Sequence, residues 1–233
     1  MKEFIKDLFK KYNLDLSEKQ IEQFDIYMNF LLEENQKYNL TAITDKKEIV
    51  IKHFVDSVLP LCEISQNASV IDVGTGAGFP GVPLKILRPD IKLTLLDSLQ
   101  KRINFLNLLL GKLGINGVTT IHSRAEDFAF KNREKFDIAL SRAVASVPTL
   151  SEYLLPFVKV NGKVLMYKGS SAEEELSIGE KAILTLGGKV EKILNFALNE
   201  VDSQRKIIVI NKINKTDKKY PRDKNLPKIK PIL

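Results

Sequence analysis

The chain has 233 residues, 44% hydrophobic and 28% charged, enough for one sizeable α/β domain with an added segment. Its single Cys62 excludes an intramolecular disulfide, and no stretch approaches the roughly eighteen apolar residues of a membrane span, so a cytoplasmic, non-membrane protein is expected. The net charge of +7 is localised: residues 1–200 carry 26 basic and 26 acidic side chains, whereas residues 201–233 carry 10 and 3. A balanced body with a basic end reads either as an electrostatic foot for phosphate or as a solvated tail without a partner.

Residues 1–62 read as a helical extension. Phe4, Ile5, Leu8 and Phe9 fall at helical spacing, and Ser17 with Gln20 matches a capping box ahead of Ile21, Phe24, Tyr27, Phe30 and Leu31. A third helix begins near Asp45, carries Ile49, His53, Phe54 and Val58, and ends at Pro60. His53, beside Asp56 on that helix, reads as a hydrogen-bonded structural histidine, and the whole extension could roof a pocket or bind a partner. From residue 69 strand-like and helical runs alternate. Strands are expected over 69–73, 92–97, 117–122, 135–141 and 162–168, and helices over 81–88, 99–113, 146–156 and 172–187. This pattern implies a parallel sheet with right-handed crossovers and helices on both faces. The last pair, 189–198 and 204–211, has no helix between its members and reads as an antiparallel hairpin closing one edge. His122, ending the third strand, is expected to be packed. Residues 63–211 then form the main domain, and 212–233 a basic tail packed on it or extending from it. Pro221, Pro227 and Pro231 favour extended backbone there over helix.

The first strand ends in Asp72 and runs into a loop with Gly74, Gly76, Gly78 and Gly81. Nucleotide-like cofactors bind at such a loop, at the carboxyl end of a strand, because glycine lets backbone approach a ligand. The dinucleotide pattern G-x-G-x-x-G would need glycine at position 79, and Phe79 stands there. A second carboxylate, Asp97, closes the next strand, where it can accept hydrogen bonds from ribose hydroxyls. S-adenosylmethionine has a ribose but no pyrophosphate and fits this spacing; a dinucleotide site and a merely structural turn are the alternatives.

Asp72-Val-Gly-Thr-Gly-Ala-Gly-Phe-Pro-Gly81, Leu96-Asp-Ser-Leu-Gln-Lys-Arg102, Ser141-Arg-Ala143, Lys168-Gly169, Tyr220-Pro-Arg222 and the upstream Lys52-His-Phe-Val-Asp-Ser57 together resemble the ribosomal RNA small subunit methyltransferase G family, also called glucose-inhibited division protein B. The resemblance covers nearly the whole chain. It implies a class I, Rossmann-like methyltransferase fold with S-adenosylmethionine as donor. It also implies methylation at N7 of guanine 527 in the 530 loop of 16S rRNA, with the rRNA or the small ribosomal subunit as partner. The donor pocket it implies comprises Gly74, Gly76, Gly78, Phe79, Asp97, Ser98, Leu99, Ala125, Glu126 and Arg142. Arg142 and Lys168 are expected to position the acceptor, with Lys101, Arg102, Arg205 and Arg222 as RNA-contact candidates. No metal and a monomer are expected. A methyltransferase of the same fold with another RNA or a small-molecule acceptor is the competing reading.

Enzymes that methylate exocyclic amines carry an Asn/Asp-Pro-Pro-aromatic loop after the fourth strand, and Ser141-Arg142-Ala143 stands there instead. Cys62 lies outside every strand-end loop, which speaks against a cysteine nucleophile. A ring nitrogen such as guanine N7 already has a free in-plane lone pair and needs placement more than a base.

Overall fold

The computed structural model describes residues 1–233. Three helical segments precede the sheet: α1 (Lys2–Lys11), α2 (Glu18–Tyr38) and a composite helix made of α3 (Lys46–Ile49), a π-helical turn (Val50–Val55) and α4 (Asp56–Val58). The capping box forms as expected, with the Ser17 hydroxyl accepting from the Gln20 N–H and Gln20 accepting from the Ser17 N–H. Asp45 caps α3 by accepting from Glu48 N–H at 2.9 Å.

The remainder runs β1 (Ser69–Val73), α5 (Gly81–Leu87), β2 (Lys92–Asp97), α6 (Gln100–Leu113), β3 (Val118–His122), α7 (Ala125–Lys131), β4 (Phe136–Arg142), α8 (Val147–Leu154), β5 (Val158–Lys168), α9 (Ala172–Thr185), β6 (Gly188–Leu198), β7 (Ser203–Lys212) and α10 (Leu226–Ile229). The seven strands lie in the order β3-β2-β1-β4-β5-β7-β6. β1 to β5 pair in parallel, whereas β7 is antiparallel to both β5 and β6. β7 therefore inserts between β5 and the edge strand β6. This is the class I methyltransferase arrangement expected from the sequence.

The strand order reverses between the parallel neighbours β1 and β4, and the loops after both diverge at their carboxyl ends. Open α/β sheets bind ligands at that point. One face of the sheet is buried under a 38-residue apolar cluster that includes Phe9, Phe24, Tyr27, Leu31 and Phe54 of the amino-terminal helices. Those helices thus share the core of the sheet and reach the strand ends. The other face packs α8 and α9 through Val147, Leu150, Leu154 and Ile183.

Three local expectations differ from the structure. His122 is exposed, because β3 is an edge strand with one open side; its Nε2 lies 3.1 Å from Ser98 O. α7 was absent from the expected helices, its seven residues being too few to show a helical period. The tail contains one helical turn, α10, which tolerates Pro227 because a proline in the first turn loses no intrahelical bond. The tail lies along the domain, held by Arg133, whose guanidinium donates to Thr216 O at 2.6 Å, Asp217 O at 3.1 Å and Tyr220 O. No helix is long and apolar enough to cross a membrane.

Candidate functional site

A cleft of about 1030 Å³ opens at the carboxyl ends of β1, β4 and β5 and is closed on one side by the composite helix. Its floor is the glycine loop, where Gly74 (φ +72°), Gly76 (+61°) and Gly78 (+100°) take left-handed backbone that L side chains rarely adopt. A Cβ on Gly76 would find no atom within 4 Å, so this backbone faces open space. A Cβ on Gly78 would lie 2.7 Å from Tyr27 Oη, so that glycine serves packing and does not line the cleft. Tyr27 Oη donates to Ala77 O at 2.6 Å and so fixes the loop from below.

The two strand-end carboxylates hold this loop in place. Asp72 is fully buried and accepts through Oδ2 from Thr75 Oγ1 (2.7 Å) and Gly81 N (2.9 Å), while its Oδ1 has no partner. Burial pushes its carboxyl up to about 7, against those two hydrogen bonds and the Arg142 guanidinium. Asp97 accepts from Gly76 N (2.9 Å) and Leu99 N (2.9 Å) and is paired with Arg102 Nη1 at 3.1 Å. Arg102 Nη1 also reaches Asp97 Oδ1 at 3.5 Å, so the roughly four acceptor positions of the carboxylate are taken, and a ribose hydroxyl would bind there by displacing the Arg102 contact.

The opposite wall is cationic and aromatic. Arg142, the last residue of β4, donates through Nη1 to Asp56 Oδ2 at 2.7 Å, lies 5.0 Å from the Phe79 ring centroid, and points Nη2 at His53 Nδ1 (3.4 Å). Arg205 of β7 places Nε 3.0 Å from Asp56 Oδ1, off the hydrogen-bonding line, so one buried carboxylate serves two guanidinium groups. His53 stacks on Phe79 at 4.6 Å, and Phe79 stacks on Tyr27 at 5.3 Å. Burial and then the Arg142 charge push the His53 imidazole down to about 3. It is therefore neutral. With Nδ1 accepting from Arg142, its proton sits on Nε2, which faces Thr41 Oγ1 at 2.8 Å. The π turn adds a residue to the helix there, a device common at functional sites, and rotates both His53 and Asp56 into the cleft.

Of the residues singled out from sequence, Gly74, Gly76, Phe79, Asp97, Ser98, Arg102, Arg142, Lys168 and Arg205 line this cleft. Lys168 is engaged within it, donating to Ala145 O and Glu175 Oε2, both at 2.7 Å. Ala125 and Glu126 line a second cavity of about 270 Å³ that adjoins the first and shares Gly74, Asp97 and Ser98 with it. Leu99 faces neither cavity. Lys101 lies outside both and donates to Tyr38 O at 2.9 Å. Arg222 also lies outside both, in a bidentate pair with the buried Glu152. From sequence alone His53 reads as a structural histidine and Asp56 carries no role. Their i, i+3 spacing on an amphipathic helix was the only local signal that both face one place. No group of three or more His, Cys, Asp or Glu side chains is placed to hold a metal ion.

A family profile described as rRNA small subunit methyltransferase G matches residues 20–208. The chain is 47% identical over 224 residues to a ribosomal RNA small subunit methyltransferase G of Clostridium botulinum, covering 94% of each chain. It is 51% identical over 228 residues to the protein of that name from Oceanobacillus iheyensis, covering 96% of this chain and 95% of the other. In fold it is similar to a precorrin-6y C5,15-methyltransferase from Geobacter metallireducens (TM-score 0.53, 15% identity, 76% and 95% of the two chains). It is also similar to Aeropyrum pernix fibrillarin, solved with natively bound S-adenosyl-L-methionine (TM-score 0.52, 12% identity, 67% and 73%).

Proposed function

Because the chain belongs to the rRNA small subunit methyltransferase G family, we propose that it transfers a methyl group from S-adenosylmethionine to N7 of guanine 527 in the 530 loop of 16S rRNA. The observation that carries this reading is one continuous cleft. It joins the open Gly76 backbone and the Asp97 carboxylate to a wall bearing Lys52, Arg142, Lys168 and Arg205, and its one histidine is a neutral, weakly basic imidazole. The residues fit the donor. Gly76 allows close backbone approach, and Asp97 would accept a ribose hydroxyl in place of its Arg102 contact. The adjoining cavity, with Leu96 and Val144 in its lining and Glu126 at its edge, suits a purine. Bound S-adenosylmethionine would supply an electrophilic methyl group on a sulfonium.

The chain's own task is then placement. Methylation at N7 uses an in-plane lone pair and releases no proton from the base, so the site needs no general base. His53 at about 3 is in keeping with that. Arg142, fixed by Asp56 and stacked beside Phe79, is rigid enough to hold guanine O6 or a flanking phosphate; a bond to N7 itself would block the reaction. Positioning of this kind contributes up to about 7–11 kcal/mol in favourable cases. The same reading has the protein acting as a monomer in the cytoplasm, where ribosomal subunits are assembled.

The test is incubation with labelled donor and either naked 16S rRNA or small subunits lacking this methyl group, followed by chemical cleavage at N7-methylguanine. Label at guanine 527 is expected. Label confined to another nucleotide, to protein or to small molecules would overturn the proposal.

A further inference from the structure

The smaller cavity has a wall that no strand-end loop provides. Its inner side is Asp97, Glu126 and Val144, but its outer side is Tyr153 of α8 together with Asn225 and Lys228 of the carboxyl-terminal tail. Resting on the donor reading above, we infer that residues 222–229 are a structural part of the donor's nucleoside pocket, with Lys228 and Asn225 contacting the purine end.

The tail is held there by one helix face. Thr149, Glu152 and Tyr153 stand at i, i+3 and i+4 on α8 and so share a side. Thr149 Oγ1 donates to Pro227 O at 3.0 Å, and Tyr153 Oη to Asn225 Oδ1 at 3.5 Å. The fully buried Glu152 accepts from Arg222 through its backbone N (2.7 Å), Nε (2.9 Å) and Nη2 (2.7 Å). Arg133 fixes the approach by its three bonds to carbonyls between Thr216 and Tyr220. Asn225 takes left-handed backbone (φ +63°), which asparagine tolerates, and its carbonyl accepts from Lys228 N and Ile229 N at 3.1 Å. That single turn sets Lys228 at the cavity mouth.

The chemistry suits a purine nucleoside. The Lys228 ammonium and Asn225 amide offer donors to ring-nitrogen acceptors, while Glu126, and Asp97 once Arg102 is displaced, offer acceptors to an exocyclic amine and ribose hydroxyls. α8 begins just after the Val144–Ala145 loop that lines both cavities, so tail docking and pocket shape are set by one rigid element. By linkage, a donor that binds better with the tail docked must in turn favour the docked tail.

Calorimetry with S-adenosylhomocysteine on the full chain, on K228A and on a chain ending at Pro221 tests this. Lys228 is exposed and outside the core, so K228A should melt at the wild-type temperature without ligand. Its Kd is expected to rise about 10-fold, the equivalent of one charge-assisted hydrogen bond. The truncated chain should lose at least as much. In the full chain, saturating ligand should slow tryptic cleavage after Lys224 and Lys228 several-fold. Wild-type affinity in both variants would overturn the inference while leaving the donor reading intact. A full chain that binds no S-adenosylhomocysteine would overturn the donor reading and this inference with it.

Discussion

Replacing Asp72 with asparagine separates the charge of this carboxylate from its role as an acceptor. The folded protein holds the carboxyl at about 7 against about 3.9 in an unfolded chain, roughly three units at 1.36 kcal/mol each, or about 4 kcal/mol. Between about pH 4 and 7 the folded state keeps a proton that the unfolded state releases, so this group's contribution to stability falls as pH rises and levels off above 7. Asparagine keeps an oxygen for Thr75 and Gly81 but puts an unpaired N–H2 where Oδ1 has no partner, at a cost of about 1–3 kcal/mol. D72N should therefore be the less stable protein at pH 5 and equal to or better than wild type at pH 8. His53 works in the opposite direction. Pushed down to about 3, it refuses a proton that the unfolded chain takes up below about 6.5, so its contribution grows with pH across that window. With the Asp72 contribution removed, D72N stability should rise between pH 4.5 and 6.5. Urea unfolding at four pH values from 4.5 to 8 measures both trends. Wild-type and D72N stabilities that run parallel over that range would refute the assignment of a titrating Asp72.

R142K should lower kcat about 100-fold while moving donor Kd less than about fivefold, because one ammonium cannot meet Asp56, His53 and the Phe79 face together; equal losses in single-turnover rate and donor binding would place Arg142 on the donor instead. R222A strands the buried Glu152 and should cost about 3 kcal/mol, a fall in Tm of roughly 6–12 °C by calorimetry; an unchanged Tm would mean the pair contributes nothing. C62A should transfer methyl at the wild-type rate, Cys62 being exposed and outside the cleft; a dead variant that still binds donor would sink direct transfer.

The parts of this fold that could be read from sequence are those whose cause is local. Central parallel strands are buried on both faces, so Val70–Val73 and Leu93–Leu96 are apolar except at Asp72 and Thr94, and the glycine loop announces its own backbone. Capping at Ser17 and Asp45 is equally local. Site features that depend on distant segments could not be read this way. Asp56 gains its role only because Arg142 and Arg205, from two other strands, converge on it, and neither pairing leaves a spacing signal. Glu152 looks like an ordinary helix glutamate until Arg222 is seen folded onto it. The exposure of His122 is illegible for a related reason: an apolar neighbour such as Ile121 does not say whether a strand is central or at an edge.

Charge is where the sequence misleads most, because composition counts cations without asking what they face. Of the ten basic residues after position 200, Arg205 is committed to Asp56, Lys206 to Glu173 and Arg222 to Glu152. Lys212 is buried, donating to Leu155 O and Leu186 O, and burial pushes its ammonium down to about 8. Lys219 sits by Asp217. Lys215, Lys218, Lys224, Lys228 and Lys230 remain exposed without an ion pair, and these set the ceiling on what the tail can offer RNA. Each phosphate neutralised on single-stranded RNA contributes about 0.7 to the slope of log K against log salt, so changing all five lysines to glutamine should flatten the slope by at most about 3.5. Counting all ten cations would assign the same again to the other five. Filter binding to 16S rRNA fragments between 50 and 300 mM salt checks this: adding K206Q to the five-lysine variant should leave the slope where it is, and a further flattening of about 0.7 would refute the commitment of Lys206 to Glu173.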